Sequence, residues 1–356
     1  MLAASRINLA QRRYRHAAKQ RRCHWGQVFI LTAAATSAFA KPEVPQGRSP
    51  VLQPFAVDSP WNTPLGSVAK LAENNSACAK QLQDQTVSSD INAAEWSHPI
   101  YAAKATDPKV VVRVYGDVVA TLQVPRNATP AAPRTKDTDG HLHIIDPTGQ
   151  YVDELWRARW QGDHTLLAEA YHRNLLSGSG VGQGGVRAYG GSAIGGLIRK
   201  GELKDGIRHA LALAVPRAAQ KPGPIWPATQ QDDGAEGTYR GALPMGQLLS
   251  IPRSVNGDAL HLGPQGLVLL RALQDFGAYD VDSAADYSLY AEPAVETELG
   301  SARADWIKLR PLLRCVTNTS SSFVGGPGAR VTAPNPPLMP APQVTTERPM
   351  SRKRGH

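Results

Sequence analysis

Aromatic residues make up only 6% of the chain, against 32 glycines and 28 prolines, a mix that favours sheets and long loops over a helical bundle. No G-x-S-x-G, H-E-x-x-H, C-x-x-C or P-loop occurs, so a serine hydrolase, a zincin or a nucleotidase has no motif behind it. No internal repeat is present. Acidic residues are missing from residues 1–26, which hold Arg6, Arg12, Arg13, Arg15, Lys19, Arg21 and Arg22. The apolar run that follows, Val28 to Ala40, is too short for a comfortable bilayer span. It ends Ala38-Phe39-Ala40 before Lys41, so residues 1–40 match a secretory signal, with an uncleaved anchor as the alternative.

The formal net charge of +9 is carried by the flanks. The seven basic residues of the leader and the basic end beyond residue 325 account for it, leaving residues 41–325 at a net −2. No clustered basic footprint remains, which argues against nucleic-acid binding. Residues 41–50 are a Pro-rich linker, residues 51–316 form the expected secreted domain, and residues 317–356 have the composition of a disordered tail. Three cysteines occur, and Cys23 leaves with the signal. Cys78 and Cys315 are then an even pair in an oxidising compartment, where a bridge is favoured over two free thiols.

The richest stretch is Asp137 to Trp160, which has the pattern of one β-hairpin. His141 to Asp146 and Tyr151 to Arg157 are runs of β-formers, and Asp146-Pro147-Thr148-Gly149 suits a type I turn with a G1 bulge. That turn predicts His143 opposite Asp153, Leu142 opposite Glu154 and Ile144 opposite Val152. One face then carries Leu142, Ile144, Val152, Trp156 and Glu154. The other carries His141, His143, Tyr151, Asp153, Arg157 and Arg159.

Three chemistries are open on this hairpin. A desolvated Glu154 with a second carboxylate, Asp139, Asp146 or Asp153, matches the acid–base pair of a glycosidase. His141 and the distant His209 would position groups or relay protons, although a histidine in an apolar run is more often a satisfied core residue. His141 and His143, spaced i and i+2, point one way along a strand and with Asp153 would resemble a metal site. A cupin pattern is not met, because Pro147 and Thr148 stand where its glutamate is needed. Trp160 and Trp226, with Arg157 and Asp232, are candidates to contact a sugar, alone sufficient for a glycan-binding module. Gly180, Gly182 and Gly185 form a formal G-x-G-x-x-G. No buried strand precedes them, so a loop framing a cleft is expected in place of a dinucleotide site.

The run D-G-H-x-x-x-x-D-P-x-x-x-x-x-x-E-L-W at Asp139 to Trp156, with G-I-x-H-A-L at Gly206 to Leu211 and P-A-T-x-x-D-D-G at Pro227 to Gly234, resembles a group of secreted bacterial proteins. The likeness spans Pro60 to Arg314 and implies a single exported domain, without supplying a reaction. The expected fold is mainly β, a single β-sandwich or jelly-roll-like domain with a few short helices. The expected function is an exported polysaccharide hydrolase or lyase working on a polysaccharide or cell-envelope glycan. A glycan- or wall-binding module and a metal-binding β-domain are the alternatives.

Overall fold

The computed structural model describes residues 47–131 and 139–339, so the signal at 1–40, linker residues 41–46 and the final residues 340–356 lie outside it. The fold is sheet-rich with few short helices. Its central element is the apolar run Leu211–Pro216, whose alternation sorts side chains into two cores. Leu211, Leu213 and Val215 point to one side and pack with Leu269, Leu273, Trp306 and Leu309 of helices Pro264–Asp275 and Ala302–Leu309. Ala212 and Ala214 point to the other, where their small size leaves room for Trp61, Tyr279, Ile145 and Val152. This strand sits inside a six-stranded sheet ordered Ser89–Asn92, Tyr287–Tyr290, Leu211–Pro216, Ala278–Ala284, Leu248–Ser250, Arg314–Cys315.

The predicted hairpin forms as Leu142–Ile145 and Tyr151–Trp156, flanked by Ile100–Ala102 and Ala170–Leu175 in a four-stranded sheet. One of its faces gives Ile145 and Val152 to the core shared with the large sheet. The opposite face gives Leu142, Ile144 and Leu155 to a third core with Val110, Val112 and Leu166 of an outer sheet. The hairpin is thus buried on both sides. Parallel pairs occur in all three larger sheets, for example Leu211–Pro216 with Ala278–Ala284. The sheet-rich fold with few short helices is as expected, but it is built of several mixed sheets, with helices Pro264–Asp275 and Ala302–Leu309 packed on the large one, and a single sandwich or jelly-roll is not confirmed.

The register differs from expectation by one residue, with His143 opposite Glu154, Ile144 opposite Asp153 and Leu142 opposite Leu155. The turn is the cause. Asp146 N donates to Tyr151 O at 3.0 Å, so four residues are looped out where three were expected. Asp146 Oδ1 accepts from the amides of both Gln150 and Tyr151 at 3.0 Å, which holds the longer loop. A one-residue slip exchanges the faces of one strand relative to the other. Glu154 therefore shares a face with His143, and Asp153 is turned away from both. Asp146→Ala removes these acceptors and is expected to cost about 1–3 kcal/mol in urea unfolding. An unchanged midpoint would show that the turn is held by something else.

Residues 317–339 belong to the folded body, which therefore extends past the boundary expected at 316. Their composition offers little apolar surface, but their backbone pairs with the start of the domain. Val331 N donates to Leu65 O and Ser67 N to Ala329 O, and Arg48 bridges to Leu338. Asn335, buried, donates to Arg208 O at 2.6 Å. Cys78 and Cys315 form a disulfide, as their pairing in the sequence led us to expect.

Candidate functional site

A cleft of about 780 Å³ opens between the hairpin and the large sheet. Its walls come from distant segments. Asp139, His141 and Trp156 belong to the hairpin, Trp96 follows strand Ser89–Asn92, and Gly185–Ala188 come from the glycine-rich stretch. Asp232 and Asp233 come from the loop before helix Ala235–Thr238, and Asp282 and Tyr290 from the large sheet. Six aspartates and two arginines line it, Arg187 and Arg217, so its field favours neutral or cationic ligands.

The glycine-rich stretch is a packed wall. At Gly185 a Cβ would stand 1.7 Å from Gly191 O, so two limbs of the loop meet where only glycine fits. No helix opens at Gly180–Gly185, in keeping with the rejection of a dinucleotide site. The loop delivers Arg187, a buried guanidinium that Gly-rich composition gave no reason to single out. Its Nη1 donates to Asp282 Oδ2 at 3.2 Å, its Nη2 meets His98 Nε2, and its Cζ lies 3.8 Å from the centre of the Tyr290 ring.

Asp232 and Asp282 stand in different surroundings within this cleft. Asp232 Oδ2 accepts from Ser283 Oγ at 2.7 Å and from the Tyr239 hydroxyl. Asp282 is mostly withdrawn from water, and burial pushes its pKa up to about 7. Arg187 opposes that rise, while the neighbouring charges of Asp139 and Asp232 add to it. Asp139 is also raised by burial, although the Trp156 indole N–H donates to it at 3.0 Å and opposes the rise.

Three histidines stack behind the wall. His98, between Ser97 and Pro99 in a segment without periodicity, inserts beside the pair from the hairpin. Its ring centre is 4.1 Å from that of His141 and 5.2 Å from that of His143, and its Nδ1 lies 2.9 Å from His143 Nε2. All three are buried, and burial is the largest cause that holds each neutral, helped by Arg187 and the other two imidazoles at His98, by His143 and Arg187 at His141, and by Arg187 and Arg199 at His143.

Only some sequence candidates reach the cleft. Asp139, His141 and Asp232 line it, and Trp156 does as well. Glu154 does not, because the register turns it inward. There it is wholly buried and accepts from Ser192 Oγ and from Ala193 N. Burial raises its pKa to about 7, but no path to substrate follows. Asp153 accepts from the Tyr171 hydroxyl at 2.7 Å and pairs with Arg173, and Asp146 pairs with Arg173 at the turn. His209 lies beside Trp61 and Arg199, with Nδ1 donating to Ala210 O and Nε2 3.1 Å from Glu202. Burial works against its charge, yet Glu202 outweighs it and raises its pKa, so His209 is a structural ion pair. Trp160 donates to Ala128 O against the outer core, and Trp226 is not among the cleft residues. Arg157 stacks on the Trp156 ring at 4.6 Å and pairs with Glu169.

No protein-family model, curated protein or solved structure matches this chain. Its chemistry therefore rests on the cleft itself.

Proposed function

We propose that this chain is an exported hydrolase of a neutral or amino-sugar polysaccharide, with Asp282 as proton donor and Asp232 as the second carboxylate. The observation that carries the reading is that two carboxylates in unlike surroundings face one cleft, the arrangement that separates acid from base or nucleophile. Trp96, 37% exposed, and Trp156 supply aromatic faces on which sugar rings stack. Hydrolysis is favoured over elimination by charge. A lyase must bind and neutralise a uronate carboxylate, and a lining of six aspartates repels a polyanion.

Export is supported by the leader pattern and by the Cys78–Cys315 bridge, which fits an oxidising compartment. Among the described residues no helix is long and apolar enough to cross a membrane.

A panel of neutral, amino and acidic polysaccharides tests this, read for reducing ends and for the absorbance of unsaturated products. New reducing ends from a neutral or amino-sugar polymer, without unsaturation, are the expected result. Unsaturated products would overturn hydrolysis. Retention of a glycan with no product from any polymer would overturn catalysis in favour of a binding module.

A further inference from the structure

We infer that His98, His141 and His143 form a binding site for one divalent transition-metal ion of the zinc class, bordering the cleft at His141. One ring nitrogen from each histidine lies within 4.8 Å of the other two. Three nitrogens bound tetrahedrally at about 2.0–2.1 Å from zinc stand roughly 3.4 Å apart, so small side-chain rotations close the set. Strand alternation points His141 and His143 the same way, and strand Ile100–Ala102, parallel to theirs, brings His98 alongside.

Among the described residues this cluster is only partly satisfied. His141 and His143 each bury an Nδ1 with no hydrogen-bond partner. His141 Nε2 is 3.9 Å from Asp139, beyond hydrogen-bond reach. A neutral imidazole carries one donor and one lone pair, and leaving such groups buried and unpaired is unfavourable. Among the described residues, His98 and His143 share one hydrogen-bond contact, at 2.9 Å, and the His141 ring makes none. Imidazole lone pairs converging in a buried site are the donor set that zinc, copper, nickel or iron takes.

Arg187 is the group that opposes an ion here, because its Nη2 touches His98 Nε2. Coordination through His98 Nδ1 leaves the proton on Nε2, so Arg187 must turn toward Ala193 O, already 3.4 Å away. Asp282 keeps its hold on the other Nη and offsets part of the added charge, and Asp139 faces the ion from the hairpin. His141 lines the cleft, so the fourth coordination position opens toward solvent.

The full chain, purified without a histidine tag and stripped with chelator, is titrated with Co²⁺ and then Zn²⁺. The expected result is one equivalent of Co²⁺ with the ligand-field absorption of a tetrahedral site, displaced by Zn²⁺. His98→Asn and His143→Asn are expected to weaken binding at least the ~100-fold that loss of an outer-shell partner can reach. His164→Ala, at an exposed histidine, should leave it unchanged. Absence of saturable binding, or wild-type affinity in both asparagine variants, overturns the site. X-ray absorption on the zinc-loaded wild type needs no variant, and fewer than three imidazole ligands would also overturn it. Binding is read without glycan, so failure here is distinct from failure of the hydrolase reading.

Discussion

Asp282→Asn is expected to lower turnover on the responsive polysaccharide by at least about 100-fold, with KM little changed. Asparagine keeps the size of the side chain and an oxygen for the Arg187 N–H, but it has no proton to give. The loss should therefore fall on kcat, because the proton is needed as the glycosidic bond breaks. Asp232→Asn should be comparably severe if that carboxylate is base or nucleophile. Arg187 would still hold the wall through Tyr290 and Ala193 O in the Asp282 variant. Near-wild-type turnover in Asp282→Asn would remove the proposed acid.

The same group sets the direction of the pH dependence. An acid must be protonated to act, so kcat/KM should fall as pH rises through about 7, the value to which burial pushes Asp282. Stability runs in the same direction. The folded pKa lies above an unfolded value near ~3.9, so the contribution of this proton is fully present below ~4 and is lost as pH rises through about 7. The two effects are separated by thermal unfolding at each pH. An activity limb that vanishes in the residual rate of Asp282→Asn, while the protein stays folded, assigns the limb to catalysis.

Much of the local structure was legible in the sequence. The two strands of the hairpin and the shared direction of His141 and His143 follow from residue order within one segment. The hairpin was legible, but its register was not. Asp146 holds a four-residue loop through the amides of Gln150 and Tyr151 where a three-residue loop was expected, and that single difference exchanges the environments of Glu154 and Asp153. Glu154 was correctly read as desolvated, but its burial is too complete for the role given to it. The cleft was legible in part, from the hairpin side, from Asp232 and from the glycine-rich loop. Trp96, His98, Arg187 and Asp282 arrive from elements far apart in the chain, and their types carry no motif. The end of the body was hidden for another reason. Residues 317–339 are held by backbone hydrogen bonds, which composition does not report.

Loss of the Cys78–Cys315 bridge is expected to cost about 5 kcal/mol of stability, read as a shift in the denaturant midpoint of the double alanine variant. The bridge joins residues 237 apart, and by chain entropy so long a closed loop restricts the unfolded state strongly. In the folded state it ties helix Ala77–Gln83 to the edge strand Arg314–Cys315 of the large sheet. That edge pairs with Leu248–Ser250 through only two register positions, Leu249 with Cys315 and Ser250 with Arg314. Residues 317–339 run on from it to cover the start of the domain, so loosening the edge should also free this segment. Proteolysis of the variant is therefore expected to begin between 317 and 339 before the core sheets are cut. A midpoint unchanged by removal of both cysteines would mean that the unfolded chain is already held compact without the bridge. Cleavage beginning in the hairpin would mean that the edge strand and its following segment are anchored by the core alone.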